Sequence, residues 1–196
     1  MKLRKKRVMT VIHRLTNNIP VIIENLPGAR SVTFGVYVGS GSQNETAAGN
    51  GVAHAIEHML FKGTDKYNAG QLADIMTELG GGINAYTSKE NTVFYGKVLP
   101  EDFERALTVM ADMLINSVFD SKEFSKEKGV IIDEIDSYDD SAEDMCHELL
   151  QKRVWNDNPL GFIISGSKSN VRKLTRQQLI DFKNANYTAD NILISV

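Results

Sequence analysis

Residues 31–61 read SVTFGVYVGSGSQNETAAGNGVAHAIEHMLF, and the hydrophobic period changes partway along them. Val32, Phe34, Val36 and Val38 alternate with Gly35 and Tyr37, the pattern of a strand with one buried face. Residues 39–50 are rich in Gly, Ser, Asn and Ala and read as a loop. From Gly51 to Phe61 the apolar positions follow a helical period, which stops at Lys62-Gly63-Thr64. Strand, loop and helix in succession exclude an all-α or all-β chain.

Upstream, the apolar runs 11–15 and 21–24 flank Thr16-Asn17-Asn18, which predicts a hairpin. Downstream, a helix fits residues 69–79 and ends at Gly80-Gly81-Gly82, where glycine supplies left-handed backbone. Residues 83–88 and 92–99 read as paired strands joined at Lys89-Glu90-Asn91. Pro100 opens a helix whose stripe of Phe103, Ala106, Leu107, Met110, Met113 and Leu114 belongs to the core. Ser121 is the expected N-cap of a long helix to about Tyr138, with Phe124, Ile131 and Ile135 as apolar positions. Gly129 inside that helix suggests the close approach of a neighbouring segment. Two further helices cover about 143–155 and 175–185, and 192–196 reads as a strand starting. An apolar strand with no polar tail after it suggests that the polypeptide continues in nature. The expected class is α+β, a mostly antiparallel sheet backed by helices.

Composition narrows the function. The chain has 196 residues, 42% hydrophobic and 24% charged, as a globular protein does. Lys and Arg number 22 against 25 Asp and Glu, so a net charge of −3 gives no electrostatic case for nucleic acid. No apolar run approaches the ~20 residues of a membrane span. A single cysteine, Cys146, excludes an internal disulfide and a Cys-rich zinc site. Five basic residues crowd into the first seven, but His13 and Arg14 interrupt the apolar run that a secretory signal requires. Residues 1–9 therefore read as a basic tail, residues 10–196 as one domain, and the protein as cytoplasmic.

The chemistry concentrates in the helix at 51–61. His54 and His58 are four residues apart, so their imidazoles share a face and can fill two corners of a tetrahedral Zn2+ site. Glu57 lies on the same side and reaches a zinc-activated water without being a ligand. This H-x-x-E-H order is the common zinc-peptidase helix read backwards. A catalytic zinc site wants a third protein ligand, and the candidates are the carboxylates of residues 123–140. Glu127 and Glu134 are two helical turns apart with Val130 and Ile131 between them, which points that face inward. A carboxylate on an inward face needs a partner, and a metal is one. Asp133 and Asp136 fall on other faces. His13 and His147 read as ordinary structural or surface histidines.

With these blocks in view, the sequence resembles the pitrilysin-type metallopeptidases, which include mitochondrial processing peptidase and bacterial processing-type zinc proteases. The resemblance runs from about Ile12 to the last residue. It is carried by HAIEHMLFKGT at 54–64, NAYTS at 84–88, EKGVIIDE at 127–134 and NPLG at 158–161. It implies His54, His58 and Glu134 as zinc ligands, Glu57 as general base, and Glu127 as a companion carboxylate needed for activity. It also implies that Asn84, Ala85 and Tyr86 belong to a strand that pairs with an extended peptide substrate. The implied function is a zinc metalloendopeptidase acting on peptides or unfolded segments. The alternative is a non-catalytic peptide-binding or scaffold subunit of the same fold, which would be expected to have lost one of His54, Glu57, His58 or Glu134. Family members carry two similar halves, in one chain or in paired subunits. The residues here correspond to an incomplete first half. A second half, from the same chain or from a partner that could be another copy, is expected to complete the chamber.

Overall fold

The alternating segment becomes β3 (Val32–Val38), with Phe34, Val36 and Val38 buried and Tyr37 facing outward. Valine and phenylalanine at period two suit a pleated surface covered on one side. In this computed structural model, which describes residues 9–156 and 158–196, β3 sits inside a sheet of six strands. The expected hairpin is present as β1 (Met9–Arg14) and β2 (Pro20–Asn25), which turn through Asn18 at φ 71°. Asparagine accepts that left-handed backbone more readily than most residues. β4 (Ile83–Thr87) pairs antiparallel with β5 (Thr92–Val98), and β6 (Ile192–Ser195) inserts between β2 and β3. The strand order is β1-β2-β6-β3-β5-β4, with β2–β6 a parallel pair, so β4 is an edge strand. Of the predicted basic tail, residues 1–8 lie outside the described residues and Met9 opens β1.

Among the described residues seven α-helices follow: α1 (Val52–Leu60), α2 (Ala69–Glu78), α3 (Phe103–Asn116), α4 (Ser121–Asp139), α5 (Ala142–Trp155), α6 (Lys168–Lys173) and α7 (Arg176–Asn186). The main core joins the inner face of the sheet to these helices except α5, and a smaller cluster of Leu72, Val109 and Met113 lies between α2 and α3. Phe34 and Phe94 meet Ile56, Met59 and Leu60 of α1, Met110 of α3, Ile131 of α4 and Leu179 of α7. The opposite face of the sheet leaves Tyr37, Tyr86 and Tyr95 exposed. The class is the expected α+β arrangement of a mostly antiparallel sheet backed by helices.

Three local expectations are corrected and one helix was not anticipated. The N-cap of α4 is Asp120, whose carboxylate accepts from the N–H groups of Lys122 and Glu123, and Ser121 is the first helical residue. Val130 is 49% exposed and so does not belong to the inward face, while Ile131 is fully buried. Gly129 is exposed, and a side chain there would meet nothing within 4 Å, so no segment approaches it closely. The helix α6 escaped sequence reading because six residues with one buried position, Val171, show no measurable period.

Candidate metal centre

α1 has little freedom to move. Seven of its nine residues are buried, which holds the helix against the sheet on several sides. Its N-cap is Gly51 at φ +102°, with no side chain to satisfy the first N–H groups. Glu45, from the preceding loop, does this instead. One carboxylate oxygen accepts from Gly51 N at 2.9 Å and Asn50 Nδ2 at 2.8 Å, and the other accepts from Ala53 N at 2.7 Å. Negative charge at a helix N-terminus also complements the helix dipole. Asn50 in turn donates to the Ile163 carbonyl, which ties this end of α1 to the 163–167 loop.

The two histidines present their Nε2 atoms to each other at 3.2 Å. Glu134 Oε2, from α4, lies 3.8 Å from His54 Nε2 and 3.4 Å from His58 Nε2. A tetrahedral ion with bonds of about 2.0–2.1 Å spaces its donors roughly 3.3–3.4 Å apart, so two nitrogens and one carboxylate at these distances fit zinc. Among the described residues these three form the group of metal-competent side chains.

The second carboxylate of α4 does something different. Glu127 Oε1 is 2.9 Å from His58 Nδ1, and its Oε2 is 2.9 Å from Lys62 Nζ. A carboxylate only accepts, so His58 Nδ1 carries a proton toward Glu127, and Nε2, turned to Glu134 and His54, is the nitrogen that can serve as a metal donor once it is deprotonated. Both oxygens of Glu127 are thereby engaged away from the Nε2 atoms. Lys62 compensates a charge that is otherwise buried, with the Glu127 side chain 6% exposed. The sequence contained Lys62 in the 54–64 block without indicating this partner. His54 Nδ1, in contrast, is buried and has no hydrogen-bond partner among the described residues.

The electrostatics follow from these contacts. Burial and the neighbouring His58 lower His54 to about 4, against a smaller pull from Glu134. Burial also disfavours the charged form of His58, but its bonds to Glu134 and Glu127 outweigh this and raise its pKa. The bond from His58 lowers Glu134 despite partial burial. Glu57 moves the other way: burial raises it, offset in part by the Thr87 hydroxyl.

A cleft of about 820 Å³ opens beside these groups. His54, Glu57 and Glu134 line it, as do Ala85 and Tyr86 at the free edge of β4. Asn84 is not among the lining residues; its side-chain oxygen accepts from Ala85 N at 2.9 Å. The lining also includes residues of α5, the 163–167 loop and the start of α6. His147 of α5 lines the cleft too, a position its sequence context did not reveal.

Comparison with known proteins identifies the family of the chain. The family model described as "Insulinase (Peptidase family M16)" matches residues 20–168. The zinc protease YmxG of Bacillus subtilis is 41% identical over 180 residues, covering 92% of this chain and 44% of that protein. The mitochondrial-processing peptidase subunit beta of Saccharomyces cerevisiae is 35% identical over 182 residues, covering 93% of this chain and 39% of its own length. The chain thus spans less than half the length of these curated relatives. A protease from Helicobacter pylori has the same fold, with a TM-score of 0.90 at 23% identity over 96% of this chain and 46% of its own. An M16 domain from Pseudomonas fluorescens, described as inactive, also superposes, with a TM-score of 0.86 at 20% identity over 96% of this chain and 46% of its own. Among the described residues no helix is long and apolar enough to cross a membrane. On the match over residues 20–168, the chain belongs to the insulinase family of peptidases, M16.

Proposed function

We propose that the full-length protein is a zinc-dependent metalloendopeptidase that hydrolyses peptides or unfolded polypeptide segments. The observation that carries the reading is the triangle of His54, His58 and Glu134 donor atoms, 3.2–3.8 Å apart, with Glu57 in the same cleft. Relatives named as zinc proteases support the choice of metal. In such a site zinc supplies Lewis acidity, lowering the pKa of water to near 7 and polarising a carbonyl.

The remaining work belongs to side chains of this protein. His54, His58 and Glu134 would hold the ion, and Glu127 orients His58 from behind through Nδ1. Glu57 takes a proton from the attacking water as the new C–O bond forms. It returns that proton to the amine nitrogen as the C–N bond breaks. Its Oε2 is occupied by Thr87, which leaves Oε1 for the transfer. A raised pKa suits a group that must gain and then release a proton near neutrality. The free edge of β4 at Ala85 and Tyr86 offers main-chain pairing to an extended substrate, a mode that tolerates many side chains. A second homologous half, in the same chain or in a partner subunit, would close the cleft from the open side.

The test uses the full-length protein, its metal content and its cleavage of an unstructured fluorogenic peptide. Glu57→Gln is expected to keep zinc and lose at least about a hundredfold in kcat. Glu134→Gln is expected to lose zinc and activity together. Full zinc retention in Glu134→Gln would overturn the ligand set, and an active Glu57→Gln would overturn the base. Peptide binding without cleavage by the zinc-loaded wild type would favour a peptide-binding or scaffold subunit instead.

A further inference from the structure

Glu57 and Thr87 come from different layers of the fold. Thr87 is the last residue of the edge strand β4, paired with Thr92 of β5. Alternation along the strand turns Ile83, Ala85 and Thr87 toward the helices, while Asn84 and Tyr86 face away. The Thr87 hydroxyl therefore meets α1, and its Oγ1 donates to Glu57 Oε2 at 2.5 Å. A hydrogen bond to an ionised carboxylate is shorter and roughly twice as strong as a neutral one. Glu57 is half-buried beside a second carboxylate, Glu134, and the Thr87 hydroxyl, aided by a bond from the main chain of the same residue, opposes rotation of the side chain away from that charge.

We propose that Thr87 is a positioning residue for Glu57: its hydroxyl holds Oε2 and aims Oε1 into the cleft. This rests on Glu57 being the general base. The same strand that offers its edge to a peptide then also fixes the group that moves the proton. Thr87→Val removes the hydroxyl while keeping the shape and the strand preference of the side chain. Thr87→Ser keeps the hydroxyl. A role in strand integrity would spare the valine variant and raise KM and lower Tm in the serine variant, whereas a positioning role lowers kcat in the valine variant and is rescued by serine.

The experiment compares zinc content, Tm, kcat and KM for an unstructured fluorogenic peptide in the full-length protein. It also examines the crystal structure of Thr87→Val. The valine variant should keep zinc, Tm and KM, and lose about ten- to a hundredfold in kcat, the scale of a misplaced reacting group. The serine variant should recover to within about threefold of wild type. In the crystal structure of Thr87→Val the Glu57 carboxylate should leave its single orientation. Combined with Glu57→Gln, the valine substitution should cost nothing further, since nothing remains to be positioned. The proposal fails if Thr87→Val turns over like wild type, if serine does not rescue, if the Glu57 carboxylate stays in place, or if the double variant loses activity additively. A fully active Glu57→Gln would instead remove the reading on which the proposal rests.

Discussion

Two helices wall the same cleft and are built in opposite ways. α1 contributes His54 and Glu57, and α5 contributes Asp144, Met145, His147 and Glu148. Seven of nine residues are buried in α1 and none of fourteen in α5, so packing on several sides fixes the first and not the second. The N-terminus of α1 is braced by a buried carboxylate with three donors. α5 is capped by Ser141, joined to Lys89 through Glu148 at 3.6 Å, and exposes Leu149, Leu150, Val154 and Trp155. Chemistry that depends on a few tenths of an ångström sits on the stiff wall, supported from behind. The other wall has few buried contacts, the condition under which local opening is cheap. A cleft built this way carries its reactive groups on the wall with the greater burial.

The comparison breaks most easily at Ile56, which is fully buried between His54 and Glu57 in sequence and packs into the core. Ile56→Ala removes three carbon atoms and leaves a cavity, so urea unfolding should show a loss of about 2–5 kcal/mol. A loss below about 1 kcal/mol would mean that α1 yields readily and is not the stiff wall.

Next in size is the brace itself. Burial pushes the Glu45 carboxyl from 4.5 to about 7, against the opposing bonds from Asn50, Ala53 N and Gly51 N. The folded protein then binds more protons than the unfolded chain between these values. Stability from this group is present below about pH 4.5 and declines as pH rises to about 7, on the order of 3 kcal/mol in all. Glu45→Gln cannot titrate, so its unfolding free energy should be flatter across that window than that of the wild type. Equal slopes for the two proteins would remove Glu45 as their source.

How far the sequence exposes this site depends on the range over which each feature acts. H-x-x-E-H is legible because its meaning lies within one helical turn, and Glu127 and Glu134 are legible as candidates because they repeat over two turns. Their division of labour is harder to read. At about 100° per residue, the stripe of Phe124, Ile131 and Ile135 is centred to one side of the Glu127–Glu134 line. Val130 therefore falls far from the stripe at about 120° from its centre, while Glu127 at about 60° is still buried and Glu134, about 20° further round, reaches the cleft. A seven-residue repeat alone does not show that offset. Glu45, Lys62 and Thr87 are a different case. Their partners are Ala53, Glu127 and Glu57, reached across a loop or between layers of the fold. No periodicity encodes such contacts, which exist only once the sheet and helices have docked.

The smallest expected effect is at Leu150 of α5, 60% exposed where Ile56 is fully buried. Alanine there forms helix slightly better than leucine, and little apolar surface is returned to water. Leu150→Ala should therefore change the urea unfolding free energy by no more than about 0.5 kcal/mol in either direction. Set beside Ile56→Ala in the same assay, a difference of several fold between two aliphatic truncations on two walls of one cleft measures how unequally those walls are held. A loss above about 1.5 kcal/mol at Leu150 would contradict the contrast directly, because a side chain that costs this much to truncate is covered, and a covered α5 could not be the compliant wall.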